Sequence, residues 1–432
     1  MDGAGGEAVA VVGIGADGWA GLGPPAQEAL RSAGVVLGSR RQLDLLPAEV
    51  RARRVAWPTP LRPALASLVA EHRAAGLVVL ASGDPMWFGI GRALVEELGS
   101  EAVHMLPHPS SISLACARLG WSVEDTTVVS AVGRPVSAVA RDLHDGVRLL
   151  VLSADASTPA LVADLLRDRG FGASELVVLE QLGSASERRV EGVAATWVAA
   201  PGAPLNVVAV RCRPSAAVAP GPRLSLVPGL PDEAYDHDGQ LTKREVRAVT
   251  LAALAPAPGE LLWDVGGGSG SIAIEWLRSH RTCRAVSVEA RPDRAARITG
   301  NAVRLGVPGL RVVTGAAPAA LDGLPAPDAV FVGGGLTTPG LLEACWSALG
   351  PGGRLVANAV TLESEALLAR WYATHGGELT RVAVSHAVPV GGFTGWRAAM
   401  PVTQWAVAKP VEPLEPLEPA SQGAQVAAEV AR

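Results

Sequence analysis

Lysine is nearly absent. Lys243 and Lys409 are the only two in 432 residues, so arginine carries almost every positive charge. Genome composition explains that bias as readily as function does. Cysteine is scarce too. Cys116, Cys212, Cys283 and Cys345 are far apart and sit in apolar or strand-like surroundings. That scatter excludes a metal-ligand spacing and points to buried, reduced thiols. No apolar run reaches the roughly 18 residues a membrane span requires. The N-terminus has no basic stretch followed by an apolar core, so no signal peptide is expected. A net charge of −5 offers nothing to a nucleic acid backbone. These absences leave a cytoplasmic protein with no membrane or nucleic acid partner.

What is present is apolar residue in quantity. A hydrophobic share of 49% against 18% charged supports large cores, and the length predicts two or three domains. The most informative stretch is WDVGGGSGSIAIE, residues 263 to 275. A buried strand from Leu261 to Val265 enters a glycine turn, and Ser269, Gly270 and Ser271 open a helix. Gly266, Gly268 and Gly270 let the backbone bend and approach a ligand, and free N–H groups at the helix start face it. The next strand, 284 to 290, ends in Glu289, placed to bind ribose hydroxyls. The glycines fall at 266, 267, 268 and 270 behind Asp264. That spacing departs from the nicotinamide dehydrogenase fingerprint, which remains the competing enzyme reading.

The rest of the chain punctuates itself in the same way. AVAVVGIG (8 to 15) is a strand entering a glycine turn, followed by an amphipathic stretch from Pro25 to Ala33. GLVVLASGDPMWFGIG (76 to 91) is expected to be the second strand, running into a Gly83-Asp84-Pro85 turn. Asp84 can accept hydrogen bonds from a ligand or simply close its own turn. HPSSISLACARLGW (108 to 121) is a helix whose serines are either caps or ligand contacts. Strands follow within 129 to 135, 147 to 157, 175 to 192 and 204 to 210. PSAAVAPGP marks a linker, set at 213 to 228. After it Thr242 is expected to cap a helix, with Glu245 completing a capping box and Val246, Val249, Leu251 and Leu254 forming the buried face. Alternating helices and strands then place Gly315 to Ala317, Gly333 to Gly335 and Asn358 around one crevice. VPVGGFTGW (388 to 396) is a substrate flap or an ordinary hairpin connection. The segment 410 to 432, rich in Pro, Glu and Ala, is expected to be disordered.

In order, GIGADG, SGDPMWFGIG, HPSSISLA and LEQLGSASERRVEG resemble the tetrapyrrole methylase family, above all its precorrin C5-methylating branch. LTKREVRA ahead of DVGGGSG and a strand-end acid resembles the Rossmann-like methyltransferases. Among these it looks most like the small cobalamin-pathway enzyme that methylates C15 and decarboxylates the C12 acetate. The resemblances imply an α/β chain in two parts. A two-subdomain tetrapyrrole methylase fold spans 8 to 212, and a Rossmann-like S-adenosylmethionine-dependent fold spans 229 to 409. They imply two S-adenosylmethionines per chain, a precorrin substrate methylated at C5 and C15 with loss of carbon dioxide, precorrin-8X as product, and self-association of the chain. By motif, Asp84, Met86, Trp87, Ser111 and Ile112 would hold one cofactor. Thr242, Gly266, Gly267, Gly268, Ser269, Gly270, Glu289 and Ala317 would hold the other. One departure stands out: Val132 precedes Gly133-Arg134-Pro135 where the branch has histidine. That leaves open an N-terminal domain that only holds the tetrapyrrole. Arg40, Arg41, Arg134, Arg244 and Arg397 are candidate partners for substrate carboxylates, and His237 and His386 are candidate proton donors. No Ser-His-Asp or Cys-His signature is expected, because methyl transfer proceeds by positioning alone.

Overall fold

The computed structural model describes residues 8–215 and 224–411. The chain divides into two compact units, Met1–Gly221 and Pro222–Arg432. The expected linker contains 216–223 and the expected tail contains 412–432; both stretches lie outside the described residues.

In the first unit, a sheet of five parallel strands comprises β1 (Val9–Ile14), β2 (Val35–Gly38), β3 (Arg53–Ala56), β4 (Leu77–Ser82) and β5 (Val103–Leu106). Their order is β3-β2-β4-β1-β5. The inner strands are almost wholly apolar because helices cover both faces. Val12, Ile14, Val36 and Leu80 pack into one core and Val11, Leu37, Val79 and Ala81 into the other. The stretch expected to be the second strand is therefore the fourth in sequence. Val35–Gly38 and Arg53–Ala56 precede it, and three of the four residues of the latter are exposed. A second sheet holds β6 (Thr126–Ser130), β7 (Arg148–Leu152), β8 (Glu175–Glu180), β9 (Arg188–Val193) and β10 (Asn206–Arg211), in the order β6-β7-β10-β8-β9. Only the β6–β7 pair is parallel. The helix Ser111–Leu119 leaves the first sheet and buries Ile112, Ala115 and Cys116 against Leu150, Leu179 and Val207 of the second.

The second unit contains a seven-stranded sheet built from β11 (Leu261–Val265), β12 (Arg284–Glu289), β13 (Arg311–Thr314), β14 (Ala329–Val332), β15 (Arg354–Ala359), β16 (Glu378–Val382) and β19 (Val402–Ala408). A separate hairpin, β17 (Ser385–Val390) and β18 (Phe393–Ala398), stands between β16 and β19 in sequence. The sheet order is β13-β12-β11-β14-β15-β19-β16, with only β19 antiparallel to its neighbours. The chain runs outward from β11 through β12 to β13 and returns to β14 on the other side. β11 and β14 therefore flank a topological switch point, where strand exits part and leave a crevice. Successive residues of β11 feed opposite cores: Leu262 packs with Leu251, Ile272 and Ile298, and Trp263 with Leu341, Cys345 and Leu355.

One expected helix start is corrected. The helix runs Arg244–Leu254 with Lys243 as N-cap and no side-chain cap bond, so the Thr242–Glu245 capping box does not form. The Thr242 carbonyl is instead held by Arg247 Nη1 at 2.5 Å. Its buried face is Val246, Arg247, Thr250, Leu251 and Leu254, while Val249 is exposed. A fully buried arginine has taken the place that apolar periodicity assigned to valine. All four cysteines are buried thiols. No helix among the described residues is long and apolar enough to cross a membrane.

Candidate active site

The crevice at the β11–β14 switch encloses about 930 Å³. Its floor is the glycine turn. Gly266 has φ +75° and sits so close to the next strand exit that a Cβ would lie 2.7 Å from the Gly334 nitrogen. Gly268, φ +58°, would bring a Cβ within 3.2 Å of the Gln240 carbonyl. Both positions need glycine on two counts, conformation and close approach. The helix Ser271–Ser279 begins immediately after, with Gly270 as N-cap. Its first N–H groups carry the partial positive charge of a helix start.

Two acids flank the turn. Glu289 ends β12 and is buried; its Oε2 accepts the Gly268 N–H at 2.8 Å and its Oε1 the Arg291 N–H at 3.0 Å. Each oxygen keeps a further lone pair for a ligand hydroxyl. Asp264 is also buried, and Ser287 Oγ donates to its Oδ2 at 3.1 Å. Burial pushes its carboxyl up to about 7, and the neighbouring Glu289 charge adds to that rise.

Thr242, Gly266, Gly267, Gly268, Glu289 and Ala317 all line this crevice, together with Gly315, Gly333 to Gly335 and Asn358. Ser269 and Gly270 do not. Ser269 is buried with its carbonyl accepting Asn301 Nδ2 at 2.9 Å, and Gly270 faces Ile298. Their part is to shape the turn. Arg244 lines the crevice as well, whereas His237 spends its Nδ1 on the Gly239 N–H within its own turn.

Three buried polar groups that the sequence did not flag hold the crevice wall. Glu275 accepts from Gly229 N (2.6 Å), Leu230 N (3.1 Å), Tyr235 OH (2.8 Å) and Arg247 Nε (2.5 Å). Arg247 also reaches Asp232 and the carbonyls of Thr242 and Leu230. Asn301 bridges the Ser269 carbonyl and both backbone groups of Asp236. The segment 229–243, which has little regular structure, is thereby fixed over the glycine turn. An acid inside the otherwise apolar run IAIEWL was the available signal, since a charge there needs a buried partner.

In the first unit a smaller cavity of about 90 Å³ lies among Gly15, Arg41, Gly83, Ser111 and Asn206. This is well below the ~300–1,000 Å³ of most ligand pockets. Of the motif residues expected there, Ser111 lines it. Asp84 lies in the adjoining turn, and its Oδ1 accepts the Met86 N–H at 2.8 Å. Met86 and Trp87 are exposed, and Ile112 is in the core, so only its backbone is available to a ligand. Ser110, not Ser111, is the helix cap, accepting from Ser113 N. Arg41 Nη2 donates to Ser82 Oγ at 3.2 Å, and the Arg134 guanidinium lies over Phe88 at 5.9 Å. Among the described residues no group of three His, Cys, Asp or Glu is disposed to hold a metal ion.

The model of the tetrapyrrole (corrin/porphyrin) methylases matches residues 8–197, and that of the precorrin methyltransferase domain matches 233–409. A precorrin-6Y C(5,15)-methyltransferase [decarboxylating] from a Sinorhizobium species is 50% identical over 400 residues, 92% of this chain and 96% of its own. The chain belongs to that family. It is a methyltransferase of cobalamin biosynthesis, combining methylation with decarboxylation, and its family uses S-adenosylmethionine. Shorter relatives carry each part of that activity in their names. A cobalt-precorrin-7 C(5)-methyltransferase from Salmonella typhimurium is 36% identical over 41% of this chain and 87% of its own. A probable cobalt-precorrin-6B C(15)-methyltransferase (decarboxylating) from Pyrobaculum calidifontis is 35% identical over 40% of this chain and 93% of its own.

The residues of the second crevice fit S-adenosylmethionine. A Cβ-free cradle at Gly266 and Gly268, a helix start and a buried acid with spare lone pairs converge on a cavity of suitable size.

Proposed function

We infer that the chain uses two S-adenosylmethionines, one in each domain, to methylate a precorrin at C5 and C15 and to decarboxylate its C12 acetate. The domain limits are 8–212 and 229–409. The C-terminal domain carries C15 methylation and decarboxylation, and the N-terminal domain carries C5 methylation. The observation that carries this reading is the convergence of Thr242, Gly266 to Gly268, Glu289 and Ala317 on one crevice at the switch point.

The cofactor supplies an electrophilic sulfonium methyl. The chain supplies position. Gly266 and Gly268 let backbone reach the ligand, Glu289 accepts from ribose hydroxyls, and Thr242 and Ala317 close the sides. Holding an electron-rich macrocycle carbon in line with that methyl is worth several kcal/mol as effective molarity. Arg244 is placed to pair with a substrate carboxylate. In the N-terminal domain Asp84, Met86, Trp87, Ser111 and the Ile112 backbone hold the second cofactor. A cytoplasmic location and self-association complete the proposal; Phe393 and Trp396, 85% and 79% exposed, support an associating surface.

A second reading rests on Val132, which is exposed where the C5-methylating branch has histidine. In it the N-terminal domain holds the tetrapyrrole without methylating it. Mass spectrometry of the product from precorrin-6B and S-adenosylmethionine decides. The full chain should add two methyls and lose one carbon dioxide. Asp84→Ala should remove one methyl alone, and Gly266→Ala the other methyl together with the decarboxylation. A full chain that adds a single methyl establishes the holding reading. Asp84→Ala with both methyls intact overturns the N-terminal site.

A further inference from the structure

Decarboxylation of an acetate side chain needs a proton as well as a place to put electrons. Among the described residues one histidine lines the crevice: His386, in β17 at the base of the hairpin. Its Nε2 stands 3.9 Å from Glu245 Oε2 on the helix Arg244–Leu254. Across the hairpin it pairs in register with Arg397, so the two side chains emerge on the same face. Arg244 and Lys243 approach from the helix start, where Lys243 Nζ pairs with Asp232 at 3.3 Å, and Glu233 also lines the crevice. Val382, Val384, Met400 and Val402 line the crevice beside these charged groups.

Resting on the reading of this crevice as the C15-methylating, decarboxylating site, we propose that His386 is the general acid that completes the decarboxylation and that Glu245 positions its imidazole. The bond between the acetate methylene and its carboxyl carbon breaks and carbon dioxide leaves. The electron pair passes into the conjugated macrocycle. Until the methylene carbon is protonated carbon dioxide can re-add, so the His386 ring proton, delivered to that carbon, commits the step, sets net release and leaves a methyl group at C12. Nothing is oxidised or reduced. His386 is 59% exposed and regains its proton from solvent. Arg397 beside it offers a fork to a neighbouring substrate carboxylate.

The test uses the full chain with precorrin-6B and S-adenosylmethionine, following C15 methylation and carbon dioxide release separately across pH. His386→Gln should slow carbon dioxide release at least ~100-fold, with the methylated, still-carboxylated species accumulating. It should also abolish the fall of decarboxylation at high pH. Glu245→Gln should slow release less than His386→Gln does, because the amide oxygen can still face and hold the imidazole. Calorimetric affinity for S-adenosylhomocysteine should change less than about twofold in either variant, about 0.4 kcal/mol. Release at the parent rate with an unchanged pH profile in His386→Gln overturns the proposal. So does equal loss of methylation and release, which would make His386 a substrate-holding group. If the parent chain itself fails to convert precorrin-6B, the functional reading falls instead.

Discussion

Replacing Arg247 by methionine should strand Glu275, a buried acid that accepts four hydrogen bonds. Glu275 is 2% exposed and Arg247 fully buried. Removing the guanidinium takes away its bonded cation and leaves the carboxylate with the donors Gly229 N, Leu230 N and Tyr235 OH. Breaking a buried pair in this way costs about 3–5 kcal/mol, a large part of the ~5–15 kcal/mol that holds a domain folded. For a unit of this size each kcal/mol moves the midpoint by about 2–4 °C, so thermal unfolding of the second unit should shift down by roughly 6–20 °C. Glu275→Leu should cost more, since Gly229 N, Leu230 N and Tyr235 OH all lose their acceptor, at ~1–3 kcal/mol for each group left unsatisfied. The double variant should be less destabilised than the two singles added together, because neither charge is then stranded. Hydrogen exchange should rise in 229–243, whose Thr242 and Leu230 carbonyls Arg247 holds. Cofactor affinity in that crevice should fall by about tenfold, the equivalent of one lost hydrogen bond of ~1.4 kcal/mol. A single substitution that costs under ~1 kcal/mol, with unchanged exchange in that segment, would refute the reasoning.

Two further outcomes follow from the same crevice. Asp264 has a folded-state carboxyl raised from 3.8 to about 7 by burial. The native state therefore holds its proton more tightly than the unfolded chain. The associated stability is fully present below about pH 4 and is lost as pH rises toward 7. Asp264→Asn mimics the protonated form, so it should stabilise the second unit above pH 7, by up to about 4 kcal/mol at ~1.4 kcal/mol per pKa unit. That advantage should shrink as pH falls toward 4; calorimetry showing no advantage at pH 8 would contradict it. Asn301→Ala should destabilise by about 1–3 kcal/mol and weaken cofactor binding, because it leaves the buried Ser269 carbonyl unpaired and releases the backbone of Asp236. Denaturant unfolding and a cofactor titration check both effects.

The parts of the fold that sequence made legible are those whose signal is local. Continuous apolar strands such as β1, β4 and β11 announce burial on both faces, and the glycine turn at 266–270 announces its own geometry. The strands that escaped were short: Val35–Gly38 is buried but only four residues long, and Arg53–Ala56 is mostly exposed. Arg53–Ala56 has the composition of a loop, and it is a strand only because β2 pairs with it. Thr242 illustrates a different failure. Its side chain could cap and Glu245 sits at the right spacing, yet Arg247 takes the Thr242 carbonyl from below and the helix starts two residues later. Tertiary bonding to a buried cation outweighed a local preference worth about 1 kcal/mol.

The same distinction divides the crevice itself. The end proposed for the cofactor is written in contiguous sequence, because a backbone cradle needs glycines at fixed spacing and an acid at the next strand end. The end proposed for substrate is assembled from parts distant in sequence. His386 and Glu245 meet only because β16 and β19 close the sheet and bring the hairpin between them toward the helix Arg244–Leu254. No spacing rule links a hairpin residue to a helix residue so far upstream. A sequence can therefore identify the methyl donor's cradle while leaving the acid for the decarboxylation as one histidine among eight. What selects His386 is the fold, which brings it to the crevice wall while His237 closes its own turn.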